Sequence, residues 1–114
     1  MKRSQIAVIG VAAAALAIGF TATAQNSEEN AEGKRVYDAW CSHCHDPGQG
    51  HPGTQGLQIK YQGTEIPAVL LERTDLTPPV VETFVRQGVL SMAPFRKTEI
   101  TDTELAALAD YLSN

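Results

Sequence analysis

Gly33-Lys34-Arg35-Val36-Tyr37-Asp38-Ala39-Trp40-Cys41-Ser42-His43-Cys44-His45 holds both cysteines of the chain within one helical pattern. Within it Gly33, Val36, Tyr37, Trp40, Cys41 and Cys44 recur at i, i+3, i+4, i+7, i+8 and i+11, one face of a continuous helix. The spacing therefore predicts a helix over residues 33–44 that carries both cysteines of the chain on the same side. Gly33 inside that pattern costs about 1 kcal/mol against alanine, which points to close approach of another helix there.

Cys41-Ser42-His43-Cys44-His45 sets two thiols one helical turn apart with an imidazole directly after the second. Thioether attachment to both vinyl groups of a haem needs that arrangement, with His45 ligating the iron from one face. A thioredoxin-like dithiol wants a strand-helix-strand setting, which the flanking pattern lacks. A zinc site wants ligands beyond one C-x-x-C and its neighbouring histidines. A plain Cys41–Cys44 disulfide is the remaining competitor, and covalent haem is the reading that uses all three groups. His43, in the variable part of the motif, reads as a surface residue, and His51, in the Gly-rich run Gly48 to Gly53, as a loop residue. Both stay second choices as iron ligands.

Apart from the initiator, Met92 is the only methionine. It stands in Gly88-Val89-Leu90-Ser91-Met92-Ala93-Pro94-Phe95, an irregular run that Pro94 stiffens beside the sulfur. A thioether is the common sixth ligand of electron-carrying c-type haems because it favours ferrous iron and raises the potential. The competing reading is a flexible core filler. A proline-pinned loop between two helices suits a preorganised ligand, so Met92 is read as the second axial donor.

The first residues read as a secretory leader. Lys2 and Arg3 precede an uncharged, mostly apolar run of 15 residues, Ile6 to Phe20, and Ala22-Thr23-Ala24 offers the small residues of a cleavage site. A spanning helix needs roughly 20 apolar residues, so cleavage after Ala24 is preferred to a retained anchor. That would leave 90 residues, a size at which an unaided core is marginal. It would also leave seven Lys and Arg against thirteen Asp and Glu, a formal charge of −6. Such a surface repels nucleic acid and anionic lipid, so the partners expected are proteins. Residues 25–30 are polar and acidic and are expected to be a flexible N-terminus before a domain over 31–114.

Further on, Thr77 before Pro78 and Pro79 starts a helix whose face is Val80, Val81, Phe84 and Val85 and which ends at Gly88. A shorter helix is expected from Ile66 to Arg73. Thr101-Asp102-Thr103-Glu104 is a capping box, followed by the stripe Leu105, Leu108, Ala109 and Leu112. Tyr111, beside that stripe, is either the partner of the Gly33 gap or a half-exposed surface residue. No two alternating β-rich runs are joined by turn residues, so the fold expected is all-α, about four short helices wrapped around one haem. Arg86, Arg96 and Lys97 gather around the Met92 loop, either as a docking rim or as solvated charges.

From about Ala31 to Leu112 the chain resembles the small bacterial class I cytochromes c. The resemblance is carried by Gly33-x-x-x-Tyr37-x-x-x-Cys41-x-x-Cys44-His45, by Val85-x-x-Gly88-x-x-x-Met92 and by Tyr111-Leu112. It implies one covalent haem c on Cys41 and Cys44, His45 and Met92 as the axial pair, and the Pro52 carbonyl accepting the His45 Nδ1 proton. Many members have proline directly after the methionine; here Ala93 intervenes. The run from Val85 to Ile100 further resembles cytochromes that serve exported flavoprotein dehydrogenases of the p-cresol methylhydroxylase type. The resemblance thus implies a periplasmic single-electron carrier, not itself an enzyme. A donor dehydrogenase, by that closer likeness a flavoprotein, would reduce it, and a respiratory cytochrome or oxidase would take the electron.

Overall fold

The structure, a computed structural model, describes residues 18–114, with side chains from Ser27 onward. Residues 1–17 of the expected leader lie outside the described residues. Five α-helices follow one another: α1 (Ile18–Trp40), α2 (Ser42–His45), α3 (Pro52–Lys60), α4 (Pro78–Gln87) and α5 (Asp102–Ser113), with one 3-10 turn at Leu70–Glu72. Among the described residues there is no strand, only a single bridge between Val89 and Met92. None of the described helices is long and apolar enough to cross a membrane.

The frame is the crossing of α1 and α5. A Cβ placed on Gly33 would collide with the Ala107 carbonyl oxygen and come within 2.5 Å of Tyr111 Cβ, so only glycine lets the two helices meet here. Tyr37, one turn along α1, lies 6.1 Å from the Tyr111 ring, centroid to centroid. Val36, Tyr37, Leu105, Leu108 and Leu112 close this contact, and α4 adds Val81 and Val85. Each such side chain contributes about 1.5–3 kcal/mol when fully buried. The capping box forms as the spacing predicts: Glu104 N–H donates to Thr101 Oγ1 at 3.2 Å, and Thr101 N–H to Glu104 Oε2 at 2.8 Å.

Residues 25–30 are helical and continue α1. Two expectations change. The helix expected from Ile66 to Arg73 shrinks to the 3-10 turn, because Val69 (ψ 122°) and Arg73 (ψ 138°) are both extended. Conversely, α3 begins at the end of the Gly-rich run Gly48 to Gly53 and continues through residues 54–60, where no helix was expected. Pro52 is pre-set for the first helical position, while Gly53 and Gly56 lower the propensity enough to hide the helix. With the one-turn α2 counted, four helices become five.

Candidate haem site

The predicted helix over 33–44 is divided at Cys41 into α1 and α2, yet its hydrogen bonds run almost unbroken. Cys41 N–H donates to the Tyr37 carbonyl at 2.8 Å and His45 N–H to the Cys41 carbonyl at 2.9 Å. Ser42 Oγ donates to the Asp38 carbonyl at 2.8 Å beside the division. The two thiols therefore keep their one-turn spacing. Both are free, Cys41 half-buried against the core and Cys44 exposed. Burial pushes the Cys41 thiol up to about 12, with the neighbouring Cys44 adding to the effect, so it is held as the thiol.

His45 is half-buried, and burial lowers its pKa, which favours the neutral imidazole that can ligate iron. Its Nδ1 is buried and makes no hydrogen bond. The bond expected to the Pro52 carbonyl is thus not made: Pro52 opens α3, where a carbonyl points along the helix axis. The neighbour in contact is Gly53 instead. A Cβ there would lie 2.9 Å from His45 Nδ1, 2.7 Å from Cε1 and 2.7 Å from the Cys44 carbonyl oxygen. Only a glycine lets α3 approach the ring this closely.

Asp46 locks the end of the motif. The Tyr37 hydroxyl donates to its Oδ1 at 3.0 Å, and Thr54 Oγ1, fully buried, donates to its carbonyl at 3.0 Å. One residue thereby ties α1, the motif and α3 together. Burial, followed by the Asp46 carboxylate, drives the Tyr37 phenol well above its ordinary pKa, which keeps it a donor. His43 is exposed, and His51 Nδ1–H donates to the His43 carbonyl at 3.1 Å. Both second-choice histidines thus sit in surface contacts.

Met92 is half-buried and packs against the core cluster. Its backbone exchanges both hydrogen bonds with Val89, at 2.9 and 3.0 Å, so residues 89–92 form a tight hairpin turn. Gly88 makes the turn possible: its φ is +68°, and a Cβ would lie 2.5 Å from the Met92 carbonyl oxygen and 2.8 Å from Pro94 N. The turn and the attachment motif are brought to one side of the molecule by Trp40 and Phe95. Their rings meet edge to face at 5.8 Å, one flanking Cys41 and the other three residues beyond Met92.

These residues fit a haem. Two free thiols, a neutral imidazole and a half-buried thioether are the donor types a c-type haem uses. Large apolar side chains remain open to solvent on three elements, Trp40 at 42%, Leu71 at 47% and Phe84 at 42%, as a flat apolar cofactor would require of its walls. Among the described residues no three His, Cys, Asp or Glu side chains converge on a metal position, so the zinc alternative lacks its further ligands. The three basic residues around Met92 are each paired with a carboxylate. Arg86 and Lys97 both pair with Asp102, and Arg96 pairs with Glu99.

Sequence reasoning missed Gly53, Thr54 and Asp46. Gly53 carried a usable signal, a glycine directly after the proline singled out. Asp46 and Thr54 carried none, since a loop aspartate and a threonine in a Gly-rich run are ordinary.

Fold and site together define the class: the chain belongs to the cytochrome c family described as cytochrome c oxidase, cbb3-type, subunit III, whose model matches residues 28–112. Membership implies a covalently bound haem c. Among curated proteins the chain is similar to the 4-cresol dehydrogenase (hydroxylating) cytochrome c subunit of Pseudomonas putida, at 29% identity over 91 residues. That match covers 80% of this chain and 66% of the relative, just under two thirds of its length. No solved structure matches.

Proposed function

We propose that this chain is an exported single-electron carrier that holds one haem c through Cys41 and Cys44, with His45 and Met92 as the axial pair. The observation that carries the reading is the Trp40–Phe95 contact, which brings the flank of the Met92 turn against the flank of the attachment motif. When bound, a haem c supplies a one-electron ferric–ferrous couple. The chain's own residues do the rest. Cys41 and Cys44 make attachment permanent, the Gly53 backbone and the Asp46 staple hold the His45 ring, and the Val89–Met92 turn presents the thioether. If His45 and Met92 both held the iron, oxygen and peroxide would find no open site on it, and outer-sphere transfer would be the chemistry left.

The leader reading places this exchange in the periplasm, after cleavage at Ala24. The donor we infer is a dehydrogenase with a flavin, and the acceptor a respiratory cytochrome or oxidase. The likeness to a protein named as a dehydrogenase's cytochrome c subunit supports that donor class. It also favours a second reading, permanent attachment to such an enzyme. Gel filtration of the native extract separates the two: a free carrier elutes near the size of one chain, and a subunit elutes with its enzyme.

The ligand set is tested by the optical spectrum of the oxidised holoprotein. We expect the weak long-wavelength band of methionine bound to ferric iron, lost in Met92→Ala together with a drop in potential. No such band, with rapid carbon monoxide binding by the reduced form, would sink the carrier and point to a haem sensor or peroxidase.

A further inference from the structure

The segment that leaves α4, carries Met92 and returns to α5 is closed at its base by one side chain. Phe95 N–H donates to the Val85 carbonyl at 2.8 Å, so three residues after Met92 the chain is back on the last turn of α4. Arg86, the next residue on that turn, donates Nη1–H to the Phe95 carbonyl at 3.2 Å and Nη2–H to Asp102 Oδ1 at 2.9 Å. Both backbone groups of Phe95 are thereby held. The Arg86 side chain is 22% exposed against 65% for Asp102, so the guanidinium lies packed between the elements it joins. Lys97 Nζ donates to the other Asp102 oxygen at 2.7 Å and keeps that carboxylate in place. The loop from Gly88 to Phe95 contains no charged residue, so its charged tether comes from outside it.

We propose that Arg86 is a positioning residue for Met92: its bridge from the Phe95 carbonyl to Asp102 holds the methionine turn shut against α5 and thereby sets how often the thioether leaves the metal. The inference rests on the reading of Met92 as axial ligand. A planar guanidinium reaches two acceptors on different elements at once, whereas an ammonium is a single point charge. The bridge acts on local opening rather than on folding. The buried core, which includes Val36, Val81, Val85, Leu105 and Leu108, does not include Arg86, and the Asp102 end of the bridge is open to solvent.

Holoproteins of wild type, Arg86→Gln, Arg86→Lys and Asp102→Asn test this. Two quantities are read: the rate at which imidazole displaces methionine from ferric iron, followed by loss of the long-wavelength band, and the denaturant midpoint of global unfolding. Arg86→Gln should speed displacement about tenfold, the size of one charge-assisted hydrogen bond. Arg86→Lys should fall between it and wild type, and Asp102→Asn should give a smaller rise, with all unfolding midpoints close together. Equal displacement rates in all four proteins overturn the role of Arg86, and so do rates that rise only in step with falling unfolding midpoints. A wild type without the band overturns the axial-ligand reading itself, and this inference with it.

Discussion

At the scale of single residues, two positions show backbone geometry overruling side-chain preference. Leu90 is fully exposed and has φ +52°, a conformation that suits glycine or asparagine in a two-residue turn. Its side chain packs against nothing, so Leu90→Gly should stabilise the protein by about 0.5–1 kcal/mol, read as a higher denaturant midpoint. Gly53 is the opposite case. A methyl group there would strike the His45 ring and the Cys44 carbonyl. Gly53→Ala should therefore reduce the yield of protein with haem attached, measured as the ratio of haem absorbance to polypeptide; an unchanged ratio would show that the ring can move aside. Cys41, Cys44, His45 and Met92 were legible as candidates because their chemistry is rare and their spacing local. Gly53 carried only its place after Pro52 as a signal, because its importance lies in what comes near it.

At the scale of elements, the α1–α5 crossing and the start of α5 hold the frame. Gly33→Ala should cost about 1–3 kcal/mol, the usual penalty of forcing a methyl group into a filled contact, with the loss visible in thermal unfolding. The start of α5 titrates. The Thr101 backbone N–H, then its hydroxyl, then Arg35 hold the Glu104 carboxyl below the ordinary value of 4.5. A carboxyl whose folded pKa is depressed adds stability above the unfolded pKa, and that stability is lost as pH falls through the folded value. Unfolding midpoints should therefore decline below pH 4.5. Thr101→Ala removes the cap, worth about 1 kcal/mol, and should make that decline shallower. A decline as steep as wild type would mean that other carboxyls dominate. The capping box and α4 were legible because caps and prolines act within a few residues. The helix expected at Ile66 to Arg73 failed because its apolar residues serve an extended connection.

At the scale of the whole molecule, the described residues bury a core centred on α1, α4 and α5 and leave Trp40, Leu71 and Phe84 substantially exposed. A chain of this size has little apolar area to spare, so a covalent haem would supply much of what is missing. Replacing both cysteines, Cys41→Ala with Cys44→Ala, should leave a protein with less far-ultraviolet helix signal and marked binding of an apolar dye. A cooperative unfolding transition equal to that of the holoprotein would show that the polypeptide core is sufficient alone.

The features readable along the chain are those that depend on near neighbours: the thiol spacing and imidazole of Cys41 to His45, the phase of α1, the capping box at Thr101, and the isolation of Met92 between two helices. Which atoms from distant segments meet is a matter of the folded arrangement. Gly53 comes against the His45 ring, Trp40 finds Phe95, and Arg86 crosses to Asp102. The physical reason is range. Periodicity and capping are set within one or two helical turns, whereas these contacts join residues on separate elements and exist only once the α1–α5 crossing has fixed where those elements lie.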